Sequence, residues 1–122
     1  MFVENYLPGK LSQYGMGYED LLKINPKLVY ASLTGWGQRG KFASRAGYDV
    51  IVASAGGLMS ITGDPIGPPA RVGVAVTDLF TGVLTSNAII AALLQERNSF
   101  FCGAINFIHS FSVHFEHEKN KN

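Results

Sequence analysis

The sharpest chemical candidate in this 122-residue sequence is Asp78, which follows Thr77 and opens a long uncharged apolar run, Leu79 to Leu94. That run predicts a helix. A helix start offers unpaired N–H groups and a positive dipole end, which favour the charged form of a carboxylate. An ionised carboxylate can act as a covalent nucleophile toward an activated acyl group. The position also suits a residue that merely caps the helix, and position alone favours the cap. A second candidate is the stretch from Gly35 to Gly47, with Gly37, Gly40, Arg39, Lys41 and Arg45 inside it. Glycines let a backbone approach a ligand closely, and the cations suit phosphates. Gly35-Trp36-Gly37-Gln38-Arg39-Gly40 has the spacing of a dinucleotide loop, but no helix opens directly after it, so spacing alone favours a solvated loop. Tyr48 and Asp49 follow, and Asp49 fits a cap for the next helix as well as it fits a site. His109, His114, His117 and Cys102 lack the paired spacing of a tetrahedral site, so no metal is expected.

The elements that must position these residues read as follows. Phe2 and Val3 end a strand, and Pro8 starts a short helix that Gly15 stops. Tyr18 to Ile24 is a helix ended by Asn25-Pro26. Leu28 to Leu33 is a short strand, buried on both faces. Residues 35–47 form a loop, and Asp49 to Ala55 a helix ended by Gly56-Gly57. Gly63 to Pro69 is a turn-rich loop, Arg71 to Val76 an extended connector, and Asp78 opens a helix that runs to Gln95. This order is α/β. One clear strand and one partial strand are too few for a parallel sheet, so the chain reads as part of a larger α/β domain. Beyond Gln95 the character changes. Phe111, Val113 and Phe115 alternate with polar residues at strand period, with no visible partner strand.

Composition narrows the function classes. The content is 47% hydrophobic and 16% charged, which fits a globular chain. A net charge of +1 gives no electrostatic footprint for nucleic acid. A single cysteine excludes an intrachain disulfide framework. The segment Leu79 to Leu94 is short for a bilayer span and carries Thr81, Thr85, Ser86 and Asn87, so a buried helix is expected and no membrane partner. No signal or transit peptide is visible at Met1 to Leu7.

Glu4-Asn5-Tyr6-Leu7-Pro8-Gly9, Ile24-Asn25-Pro26-Lys27-Leu28-Val29-Tyr30, Ser32-Leu33-Thr34-Gly35-Trp36-Gly37 and Arg45-Ala46-Gly47-Tyr48-Asp49 stand in that order. Gly56-Gly57-Leu58-Met59, Thr62-Gly63-Asp64, Arg71-Val72-Gly73-Val74 and Asp78 to Gly82 follow. Together these resemble successive signatures of the family III coenzyme A transferases of the CaiB/BaiF type, over about residues 2–95. Within the family the resemblance is strongest to members acting on dicarboxylic acids, moving coenzyme A from succinyl-coenzyme A to glutarate or hydroxymethylglutarate.

The resemblance implies a fold, roles and partners. The fold would be part of the family's large nucleotide-fold-like domain, with residues 1–95 as its central part and 96–122 as a divergent tail outside it. Asp78 falls on the catalytic aspartate. Asn5, Tyr6 and Leu7 fall on one segment lining the coenzyme site, and Ala46, Gly47, Tyr48 and Asp49 on another. Gln13 falls where other members carry an arginine that contacts the coenzyme. The substrates would be an acyl-coenzyme A thioester and a carboxylic acid, with no tightly bound cofactor, in a homodimer and in the mitochondrion. The related α-methylacyl-coenzyme A racemases carry a histidine base where this chain has Tyr48, which is too weak an acid for that shuttle near neutral pH. Because the family's chains are several times longer, the isolated 122 residues are expected to show no turnover, with a non-catalytic shortened product as the alternative reading.

Overall fold

The computed structural model describes residues 1–97 and 112–114. Strand β1 (Phe2–Glu4) pairs in parallel with β2 (Tyr30–Thr34), placing Phe2 opposite Tyr30 and Glu4 opposite Ser32. Parallel neighbours need a crossover, and residues 5–29 supply it. The expected helix from Pro8 is a turn instead. Lys10 N–H donates to the Leu7 carbonyl at 3.0 Å, and Gly9 has φ 75°. Proline second and a positive-φ glycine third is the chemistry of a type II turn, which spends Pro8 before any helix starts. A single 3-10 turn, Leu11–Tyr14, follows and ends on left-handed Gly15. Helix α1 (Tyr18–Ile24) then carries Glu19 and Asp20 in its first turn and Lys23 in its last, in accord with the helix dipole.

Strand β2 is buried at every position but Leu33, which is half-buried. Phe2 stacks on Tyr30 with centroids 5.2 Å apart, and Tyr18 meets the same ring edge-on at 5.8 Å. These rings tie β1 and α1 to β2, and burial followed by the Glu4 charge pushes the Tyr30 hydroxyl pKa up. Helix α2 (Asp49–Ala55) buries Val52 and Ala53 and ends before left-handed Gly57. The 3-10 turn Leu58–Ile61 was not expected; it continues from that glycine.

Helix α3 (Val76–Arg97) starts two residues before Asp78 and runs two beyond Gln95. It buries Thr81, Thr85 and Ile89, and Ile89 and Ala92 pack on Val29, Ala31 and Leu33 of the β2 region. Residues 81, 85, 89 and 92 form one stripe, as helical spacing requires. Elsewhere along the helix Leu79, Phe80, Val83, Leu84, Ile90, Leu93 and Leu94 are all exposed. The expectation of a buried helix is therefore corrected. By length and composition Val76–Leu94 is sufficient to cross a membrane, and only 17% of that span is buried. The helix is apolar all round while the described elements cover one side of it.

Strand β3 (Ser112–His114) lies antiparallel to β2, opposite Thr34, Leu33 and Ser32, so the sheet order is β1-β2-β3 among the described residues. The period-two segment expected to lack a partner thus has one. Cys102, His109 and His117 lie outside the described residues, and no cluster suited to a metal occurs within them.

Candidate active site

The carboxyl ends of β1 and β2 leave the sheet at the same edge, where open α/β sheets bind ligands. Segment 5–7 departs from β1 there and loop 35–47 from β2. Glu4 anchors the first departure: its carboxylate accepts the Tyr6 N–H at 2.7 Å and the Ser32 hydroxyl. Between the two segments lies a cleft of about 180 Å³, walled by Glu4, Leu7, Ser12, Tyr18, Gln38 and Arg39 among others. Gln38 Nε2 is a buried donor with no hydrogen-bond partner among the described residues. Of the expected coenzyme residues, Leu7 lines this cleft. Asn5, Tyr6 and Gln13 are exposed beside it, and Ala46, Gly47, Tyr48 and Asp49 lie outside its walls. The sequence reading did not single out Ser12, Tyr18 or Gln38, although Gln38 lies within the glycine pattern of residues 35–40.

The glycines of loop 35–47 serve the loop itself. A Cβ on Gly35 would stand 2.7 Å from the Gly47 Cα, and one on Gly47 would stand 2.8 Å from the Gly35 Cα. Backbone meets backbone where the chain leaves β2 and enters α2. Trp36 Nε1–H donates to the Ala46 carbonyl at 3.2 Å and completes the closure. Among the cations expected to meet phosphate, Arg45 lies over the Phe42 ring at 4.8 Å and Lys41 at 5.9 Å, while Arg39 faces the cleft.

Closure of that loop sets Asp49 at the first turn of α2. Asp49 makes no cap on its own helix, as had been one reading of it. It caps α3 instead. Its Oδ1 accepts the Thr77 N–H at 2.8 Å, the Asp78 N–H at 3.2 Å and the Thr77 hydroxyl. Val76 N–H donates to the Val74 carbonyl at 2.8 Å and Leu79 N–H to Ala75 at 3.0 Å. The first amides of α3 are thus all spent. Hydrogen bonds from Thr77 pull the Asp49 carboxyl below its ordinary range, against the opposing effect of burial, with help from Asp78 N–H and Arg71.

Asp78 is exposed and its pKa goes the other way. Desolvation raises it first, and the neighbouring Asp49 charge raises it further. The helix end was expected to favour the charged form of Asp78. The direction is reversed because desolvation and the Asp49 charge act against it, while the helix-start amides at Thr77 and Asp78 donate to Asp49. The result is a carboxylate whose charge is less stabilised than usual, at a helix start held from a second element. Such a carboxylate is chemically capable of nucleophilic attack on an activated acyl group.

Residues 1–99 match the family model of CoA-transferase family III. The chain belongs to that family, and its mixed helix-and-strand architecture is a part of the family's α/β domain. It is 57% identical over 96 residues to succinyl-CoA:glutarate CoA-transferase of Mus musculus, a match covering 79% of this chain and 22% of the relative. It is 50% identical over 97 residues to succinate--glutarate CoA-transferase of Agrobacterium fabrum, covering 80% and 24%. A crystal structure of a CAIB/BAIF family protein from Brucella suis superposes with TM-score 0.75 at 45% identity, over 80% of this chain and 26% of that one. The chain spans about a fifth to a quarter of the length of these proteins.

Proposed function

We propose that this chain carries the nucleophile and part of the coenzyme site of a transferase that moves coenzyme A between dicarboxylic acids. The single observation that supports it best is Asp78 itself: an exposed carboxylate with a raised pKa, at a helix start whose amides are all taken. Relatives at 50–57% identity, named for succinate and glutarate, support the substrate class.

In this reading an Asp78 oxygen attacks the thioester carbonyl of succinyl-coenzyme A. The carbon–sulfur bond breaks, and a mixed anhydride and the thiolate result. The thiolate attacks the Asp78 carbonyl, releasing succinate and leaving an aspartyl thioester. The acceptor carboxylate attacks that thioester, and the returning thiolate resolves the second anhydride to give glutaryl-coenzyme A and free Asp78. Each step exchanges one activated acyl group for another, so the cycle is close to thermoneutral. Segments 5–7 and 46–48, with Gln13 between them in sequence, supply the coenzyme contacts, and remote binding of the coenzyme keeps the thiolate near Asp78. Tyr48 in place of a histidine favours transfer over racemisation. Assembly as a homodimer and a mitochondrial location rest on the family resemblance.

The test is to place residues 1–97 in the equivalent segment of the Agrobacterium fabrum enzyme, to which they are 50% identical. Transfer from succinyl-coenzyme A to glutarate should be retained, and Asp78→Ala should lower kcat by roughly a thousandfold or more, as loss of a covalent nucleophile does. A folded Asp78→Ala chimera that keeps the parent rate would overturn the reading.

A further inference from the structure

We propose that Asp49 is a positioning residue for Asp78: from the first turn of α2, its Oδ1 holds the start of α3 and thereby sets where the Asp78 carboxylate points. This rests on the nucleophile reading above and assigns Asp49 a task other than coenzyme contact.

The geometry is specific. One oxygen of Asp49 gathers both Thr77 donors and the Asp78 N–H, from a residue 29 positions earlier in the chain. Ordinary caps come from the residue beside the helix they serve. Here the cap comes from another helix, so the position of α2 is transmitted to the backbone of the nucleophile. The placement of α2 depends in turn on the Gly35–Gly47 contact, directly before Asp49 in the chain. Thr81 extends the arrangement into the helix, its hydroxyl donating to the Thr77 carbonyl at 2.8 Å. A displacement of about 1 Å at a reacting group costs on the order of a hundredfold in rate, so a fixed origin for the Asp78 side chain matters to chemistry.

The second consequence is electrostatic. The charged groups acting on this pair are Asp49 from α2, Arg71 from the connector and Asp78 from α3. The Asp49 charge is satisfied by α3 amides and by Arg71, and it faces Asp78 with the same sign. The pair therefore divides the labour: one carboxylate absorbs the stabilising donors, and the other is left more basic and more nucleophilic.

The experiment uses the full 122-residue chain and three forms: unaltered, Asp49→Asn and Asp49→Ala. Carboxyl-carbon NMR follows the Asp78 titration, and amide exchange follows Thr77 and Asp78. Asparagine keeps an acceptor oxygen but removes the charge, so the Asp78 midpoint should move to lower pH with amide protection mostly retained. Alanine removes both, and exchange at Thr77 and Asp78 should accelerate about five- to tenfold, the scale of a lost cap. A cap of purely structural effect would leave the Asp78 titration unmoved in Asp49→Asn, and that result overturns the proposal. So does unchanged exchange at both amides in Asp49→Ala. If Asp49→Ala does not fold, the asparagine form alone decides. Kinetics in the chimera separate this idea from the one beneath it. Asp49→Asn should lower kcat at unchanged KM for the acyl-coenzyme A, whereas a raised KM at unchanged kcat would place Asp49 on the coenzyme. Retained transfer in Asp78→Ala would sink the nucleophile reading and leave the NMR coupling standing.

Discussion

Asp49 and Asp78 are near neighbours with opposite pKa shifts, and their effects on stability have opposite signs. Asp49 is depressed in the folded chain, chiefly by Thr77. Its contribution is present above the unfolded carboxylate pKa and is lost as pH falls through the lower folded value. Asp78 is raised by partial desolvation and by Asp49. Ionising it therefore costs folded-state stability above its folded pKa, and the cost vanishes below the unfolded value of roughly 3.9. Asp78→Asn should accordingly stabilise the chain near neutral pH by about 0.5 kcal/mol, the scale of an exposed charge interaction. Urea denaturation at pH 7 and at acid pH checks this, and the gain should shrink toward zero in acid. An aspartate that stabilised its own helix would give the reverse result, a loss at pH 7. The residue whose loss is predicted to remove function is thus one whose charge is predicted to cost stability, a trade common at reactive groups.

At the scale of elements, local sequence chemistry was a good guide wherever a stop signal and a period agreed. The Asn25-Pro26 stop and the Gly56-Gly57 stop gave the ends of α1 and α2, and the observed spans Tyr18–Ile24 and Asp49–Ala55 match the expected ones. Pro8 misled because its ring suits a helix start and a turn equally, and Gly9 with φ 75° decides for the turn. What no local pattern encodes is contact across the chain. The role of Asp49 at α3 depends on a partner 29 residues away, and the walls of the cleft come from residues 4–18 and 30–39 brought together by the parallel pairing. The glycines of loop 35–47 are a further case: their spacing suggested a ligand loop, while their packing shows backbone closure. Gly47→Ala tests that packing directly. Its Cβ would meet the Gly35 Cα at 2.8 Å and the Trp36 Nε1 at 3.2 Å. Relieving the contact should cost about 1–3 kcal/mol, the range for overpacking, and should alter Trp36 fluorescence as the bond to Ala46 is lost. Gly73→Ala is the control. Its added Cβ meets nothing within 4 Å, so its unfolding midpoint should stay within about 0.5 kcal/mol of the parent.

At the scale of the molecule, the decisive feature is the open side of α3. A soluble domain seldom leaves a helix with Leu79, Val83, Ile90, Leu93 and Leu94 all exposed along its length. The stripe it does bury is Thr81, Thr85, Ile89 and Ala92, so its largest apolar side chains face away from the described core. The relatives are four to five times longer than the matched segment, and a helix apolar all round is ordinarily an interior element. Alone, the 122-residue chain should cover this surface with another copy of itself. Sedimentation velocity should show a weight-average mass that rises with concentration through the micromolar range. Val83→Lys with Ile90→Lys should return the chain toward the 13.2 kDa monomer, because both positions lie on the open side and neither belongs to the buried stripe. Circular dichroism should show the helix retained in the double variant. A monomer at all concentrations would mean that the described elements leave no adhesive surface. Flotation with neutral phosphatidylcholine vesicles, abolished by the same two lysines, would mean that lipid, and not a second copy, covers α3.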